Sequence, residues 1–168
     1  MQNTAVQIHI DLSKQLLLLL NHQSEIIFDC LISSALLGTG CHRGSLQTPL
    51  GKHIIRAKIG AGVPMNGVFT GRRFTGEIYQ QQMAQQYPQR DWILTRILWL
   101  SGLEPGKNRF GAVDTMARYI YIHGCPDDQP VGKPVSHGCI RMHNADILYL
   151  FRQVQPGTKV MIRTGTPT

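Results

Sequence analysis

The sequence predicts an α+β domain that is predominantly β, with two or three helices. Three observations carry this reading. Apolar and polar residues alternate across 6–12, with Val6, Ile8, Ile10 and Leu12 set against Gln7, His9 and Asp11, the period of a half-buried strand. Turn formers, 17 Gly and 9 Pro among 168 residues, cut the chain into short pieces. Helix signals are confined to 77–87, 91–102 and 144–154.

Taken in order, 6–12 is the first strand and 15–20, with its leucine run, the second. A polar turn at 21–24 leads into a third strand over 25–34, rich in Ile and Phe, so the chain opens as a β-meander. Residues 38–51 are dense in turn formers and include the tight turn Thr48-Pro49-Leu50-Gly51. A strand follows at 53–59. The Gly-rich stretch 61–76 carries Arg72 and Arg73 and reads as a loop or irregular hairpin reaching over a site. The Gln-rich 77–87 suits a helix or a flexible lid. Asp91 is placed to cap a helix over 92–100 that Gly102 ends, with its two Trp residues in the core. Then come a loop at 105–111, a strand at 116–122, a helix opened by Asn144 or Asp146 and running to 154, and a final strand at 159–163 after the Pro156-Gly157 turn. No repeat or linker divides the chain, which reads as one domain over 1–168.

Hydrophobic content of 42% and charged content of 16% suit a globular domain. The net charge of +7 attracts an anionic partner. Lys and Arg are scattered rather than clustered among aromatics, which argues against nucleic acid and favours a small acidic substrate. The N-terminal stretch lacks a basic start, and its longest apolar run is 16–20, too short for a signal peptide or a membrane span. The expected location is therefore the cytoplasm, away from membranes. Four cysteines, Cys30, Cys41, Cys125 and Cys139, are too few for a disulfide scaffold and are expected to be reduced there.

Chemistry concentrates in 121–142. A free thiol has a pKa near ~8.5 and needs a base to attack at neutral pH. Cys139 follows a glycine, with His137 two residues before it and Arg141 two residues after, and positive neighbours favour a thiolate. Gly138 lets backbone N–H groups approach a reacting carbonyl oxygen. The competing reading, a buried structural cysteine, suits Cys30 among its Ile and Phe neighbours better. His123 ends an apolar run and reads either as a core histidine or as the base for Cys139. A third reading gathers His123, Cys125, His137 and Cys139 around zinc, although one-residue spacing within each pair is unusual for that metal.

His123-Gly124 followed by Ser136-His137-Gly138-Cys139-Ile140-Arg141-Met142 resembles the catalytic signature of the L,D-transpeptidase (YkuD-type) family. The likeness takes in the meander ending at Ser33-Ser34, the Thr48-Pro49-Leu50-Gly51 turn and the closing Gly157-Thr158-Lys159-Val160 strand, roughly 8–162, with 64–106 looking like a larger insertion or lid. It implies a β-sandwich-like fold of mixed sheets. It implies Cys139 as nucleophile, His123 as general base and the Gly124 carbonyl as the group that orients it. It also implies that His137, Gly138 and the Cys139 N–H, with Ser136 beside them, line the oxyanion hole or position substrate, and that Arg141 binds a substrate carboxylate or supports the site. No cofactor and no metal are implied. Cys125 departs from the family, which more often has a hydroxyl-bearing residue there, and raises a Cys125–Cys139 disulfide or redox sensitivity.

The resemblance implies peptidoglycan stem peptides as substrates, and carbapenem-type β-lactams as acylating inhibitors of Cys139. A thioester formed with loss of D-alanine is then resolved by an amine, giving 3–3 crosslinks, or by water. With a cytoplasmic location, the expected outcome is an L,D-carboxypeptidase that trims tetrapeptide muropeptides during murein recycling. A stem-peptide sensor without turnover is the reading from another class.

Overall fold

The computed structural model describes residues 5–165. Its strands are β1 (Gln7–Asp11), β2 (Leu16–Leu20), β3 (Ile26–Leu31), β4 (Gly51–Ile59), β5 (Gly67–Thr70), β6 (Arg73–Ile78), β7 (Ile93–Gly102), β8 (Tyr121–Cys125), β9 (Ile140–His143) and β10 (Lys159–Arg163). Two α-helices are present among the described residues, α1 (Gln81–Gln86) and α2 (Asn144–Gln153). The ten strands form one curled mixed sheet in the order β3-β2-β1-β10-β4-β7-β5-β6, with β8 joining at β7 and β9 at β8. The domain is mostly β, as the alternation and turn density predict.

The opening meander forms because its alternating residues sort to two faces. Ile8, Ile10, Leu17 and Leu19 point into the core, where each fully buried aliphatic side chain contributes about 1.5–3 kcal/mol. Gln15 turns the chain with a φ of 50°, and its buried amide donates to Leu12 O at 2.7 Å and to Ser34 Oγ at 2.8 Å. β1 lies parallel to β10, and β10 antiparallel to β4. Helix α2 closes the core by burying Ile147 and Leu150. None of these helices is long and apolar enough to cross a membrane.

The stretch expected as a helix over 92–100 is instead β7, the longest strand, which pairs with β4, β5 and β8. A strand covered on both faces loses the period-two pattern, and a bulge disturbs it further. Here Thr95 takes a φ of 74° where the pairing to β8 shifts register, so Leu94, Thr95, Ile97 and Leu98 are all buried. Such doublets three residues apart imitate a helical stripe. β7 also divides the stretch 64–106: its second half is central sheet, while 64–92 holds α1 and the β5–β6 hairpin, which joins the sheet's edge through β5. The 61–76 stretch resolves into that hairpin, and α1 is shorter than expected because β6 continues to Ile78. The strand expected at 116–122 begins only at Tyr121, since the Asp114 carboxylate accepts from the N–H groups of Phe110 and Ala117 and holds a turn there.

Candidate active site

Register builds the site. β8 and β9 run parallel, with His123 opposite Arg141 and Gly124 opposite Met142. Ile122, Gly124, Ile140 and Met142 face the core, leaving Tyr121, His123 and Arg141 on the other face. Cys139 stands one residue before β9, level with Tyr121, whose N–H points at Sγ at 3.3 Å. The thiol donates in turn to Tyr119 O at 3.5 Å. Thiol and imidazole thus occupy one face of neighbouring strands, one strand step apart. The meander's end supports them, since Ser33 and Arg141 exchange backbone bonds of 2.8 and 2.9 Å.

His123 is fully buried, and its Nδ1 lies 2.7 Å from Gly124 O. A carbonyl only accepts, so Nδ1 carries the proton and Nε2 presents a lone pair. That Nε2 is buried and has no hydrogen-bond partner. Burial holds the His123 pKa below its usual value, and Arg141 adds to this, against the opposing pull of Asp91 and the Gly124 carbonyl. Burial also pushes the Cys139 thiol up to about 12; Asp91 raises it too, while the Tyr121 N–H, Arg141 and Arg118 lower it. Burial therefore favours the uncharged form of each group, against the thiolate that the basic neighbours suggest. The cations are there, but desolvation outweighs them.

Gly124 has no alternative, because a Cβ there would come within 2.6 Å of both Leu94 O and Asn144 Oδ1. Gly138 adopts a φ of 129°, in glycine's own region, with Ile120 Cδ1 and Gln47 O closing the space around it. Its carbonyl accepts from Thr48 Oγ1 at 2.9 Å, and its N–H donates to Ser136 Oγ at 3.2 Å. The Ser136 hydroxyl donates to Cys139 O, so Ser136 ties the turn together from inside. His137 projects into solvent.

Arg141 already has a carboxylate partner on Nη2, while its buried Nε has no hydrogen-bond partner. Its Nη2 lies 2.7 Å from Asp91 Oδ1, and its side chain is only 12% exposed. Asp91 Oδ2 also reaches to 3.9 Å from His137 Nδ1. Asp91 thus sits among Arg141, His137, His123 and Cys139 rather than capping a helix. A single acid before an apolar run carries no local signal of a contact 50 residues away.

The β5–β6 hairpin, which carries Arg72 near its turn, packs against Tyr119 and Tyr121, the two residues bonded to the thiol. Arg72 donates to Tyr121 Oη at 3.0 Å and lies 4.4 Å from the Trp99 ring centre and 5.1 Å from that of Tyr119. Grooves of about 470 and 280 Å³ flank His137, the larger walled by Arg43, Leu46, Arg118 and Tyr119, the smaller by Asp91, Trp92, Gln129 and Arg141. Cys125 pairs with His143, four residues beyond Cys139. At about 3.3 Å per strand residue that offset is roughly 13 Å, far outside disulfide reach. Among the described residues no three His, Cys, Asp or Glu side chains converge in a way that would hold a metal ion.

A thiol and an imidazole so placed define a cysteine-dependent enzyme of the nucleophilic kind. The chain belongs to the YkuD family, the L,D-transpeptidase catalytic domain, whose profile matches residues 5–162. The Bacillus subtilis protein YqjB, named as an inferred L,D-transpeptidase, is 47% identical over 53 residues, covering 32% of this chain and 30% of that protein. Bacillus licheniformis YkuD, named likewise, is 54% identical over 55 residues, covering 32% and 33%. These matches thus span about a third of each relative. L,D-transpeptidase 3 from Mycobacterium tuberculosis, solved with a faropenem-derived adduct, shares the fold with a TM-score of 0.58 at 16% identity, over 95% of this chain and 60% of that one.

Proposed function

We propose that this domain is a cysteine acyl-transferase of peptidoglycan stem peptides that works as a cytoplasmic L,D-carboxypeptidase, removing the terminal D-alanine of tetrapeptide muropeptides. The observation that carries the acyl-transfer chemistry is the unpartnered Nε2 of His123, held by the Nδ1–Gly124 bond on the same face as the Cys139 thiol. As Sγ attacks the carbonyl of the third residue, Nε2 takes the thiol proton, and the developing oxyanion meets the Cys139 N–H, the Gly138 N–H being held by Ser136 Oγ. The imidazolium returns the proton to the departing D-alanine amine and leaves a thioester. His123 then deprotonates a water, whose oxygen displaces Sγ and frees the shortened peptide, and the imidazolium returns that proton to the departing sulfur. Because burial disfavours the charged form of each partner, proton transfer accompanies attack.

Hydrolysis is favoured by the small size of the groove at Asp91 and Arg141. Two grooves open beside His137. The smaller, about 280 Å³, falls below the ~300–1,000 Å³ of ordinary small-molecule sites and suits water better than a second stem. Crosslinking is the second reading, and Asp91 favours it, since a carboxylate 40% exposed at that groove would pair with an acceptor ammonium. Incubation with a defined tetrapeptide, alone and with an acceptor amine, separates the two. D-Alanine release without crosslinked product supports the carboxypeptidase; dominant dimer formation replaces it with the transpeptidase.

A further inference from the structure

The two grooves beside His137 differ in charge balance. In the smaller one each guanidinium has its own acid: Arg141 pairs with Asp91 at 2.7 Å, and Arg90 pairs with Glu77 at 2.7 Å. The larger one holds Arg43 and Arg118, and among the described residues neither has a carboxylate within 4 Å. Arg118 is half-buried, and its bonds go to neutral acceptors, Gly40 O at 3.1 Å, Ser45 Oγ at 3.2 Å and Gln47 O at 2.7 Å. Those three bonds leave two of a guanidinium's five N–H groups uncommitted. A charge taken partly out of water without a counter-ion is costly, so a groove that keeps one is complete only when an anion arrives. The same groove borders the nucleophile, because Tyr119, whose carbonyl accepts from the Cys139 thiol, forms part of its wall.

We infer that the Arg43–Arg118 groove receives the C-terminal carboxylate of the substrate, in place of Arg141, which Asp91 already occupies. This rests on the stem-peptide reading above and deepens it. The carboxylate of the departing residue lies three bonds from the scissile carbonyl carbon, so seating it against Arg118 sets that carbonyl near Sγ. Burial weighs against the Arg118 charge, with the Cys41 and Cys139 thiols the groups opposing that shift. The charge-balanced groove across His137 is left for water or an acceptor.

Alkylation of Cys139 tests the groove without invoking turnover. Iodoacetate and iodoacetamide react alike: an S–C bond forms, C–I breaks, iodide leaves, and the thiol proton passes to His123 or solvent. Only iodoacetate carries a carboxylate. The ratio of their rates at Cys139, read by peptide mass spectrometry and divided by the ratio for free cysteine at the same pH and salt, is expected to be about tenfold. It should fall toward one in Arg43→Gln and in Arg118→Gln, and be largely kept in Arg118→Lys. Lys14→Gln, which removes an equal charge at the β1–β2 turn, should leave it unchanged. A ratio near one in the wild type, or one insensitive to both Gln variants, overturns the inference. Binding to the Cys139→Ala protein supplies the second measurement: a tetrapeptide acid should bind about tenfold more tightly than its C-terminal amide. Equal binding of the two refutes the carboxylate site, whereas binding of neither refutes the stem-peptide reading and leaves the alkylation ratio to decide the groove.

Discussion

Replacing Asp91 with Asn should make the protein less stable and its thiol more reactive. The amide keeps the shape and an acceptor for Arg141 Nη2 but removes the charge. Arg141 is only 12% exposed, so its guanidinium then lies half-desolvated without an anion. Stripping one member of a fully buried pair costs about 3–5 kcal/mol, but Asp91 is 40% exposed and partly screened, which brings the expected loss to about 1–2 kcal/mol. Asp91 also raises the Cys139 pKa, and its removal lowers that pKa. A unit charge felt across a half-solvated groove is worth about 0.5–1 kcal/mol, so the thiolate fraction at a given pH should rise roughly two- to fivefold. Urea unfolding at pH 7.5 reads the first effect, and the rate of iodoacetamide labelling at Cys139 from pH 7 to 10 reads the second. A variant that unfolds at the wild-type midpoint, or labels more slowly at every pH, refutes this account of the Asp91–Arg141 pair.

Gly124→Ala should cost about 1–3 kcal/mol and depress turnover, because the Leu94 carbonyl 2.6 Å from the new Cβ belongs to a paired strand and cannot yield without moving β8; wild-type urea stability and kcat would contradict it. Burial lowers the His53 pKa to about 4, so the unfolded chain binds the extra proton first as the pH falls below 6.5. The stability this histidine lends is complete above pH 6.5 and lost toward pH 4, at most about 3 kcal/mol, and His53→Gln should flatten that part of a pH series of urea midpoints. A carbapenem should add its mass to the wild type and not to Cys139→Ala, as read by intact-protein mass spectrometry; an adduct persisting in the variant places acylation elsewhere.

What the sequence revealed and what it hid divide along range. Val6 to Leu12, the leucines of β2, the Asn144 helix start and the Pro156-Gly157 turn are local patterns, and each lies in the structure close to where it reads. β7 did not show itself because its signal depends on neighbours: Trp92 to Leu100 has helical spacing only until a bulge at Thr95 and sheet on both sides are known. Its β-branched and aromatic residues were the available hint. In the site, His123 and the 136–141 block stand out by composition. Asp91, Thr48 and Arg118 do not, since each acts across 50 or more residues through side-chain bonds to 141, 138 and the 40–47 loop. Nor does composition foretell that desolvation would outweigh the guanidinium groups of Arg141 and Arg118 at the sulfur.

The pairing of β8 with β9 ties the sulfur and the ring to the sheet's interior, while much of the wall of the two grooves hangs from 43–46, 117–120 and 88–92, almost all of it outside the strands. Fine selection and chemical power are thus carried largely by different pieces of chain. The 43–46 loop is a natural cassette: exchanging it for another of similar span would retune what the enzyme accepts, whereas 88–92 brings the Asp91 charge to the sulfur and would alter both at once.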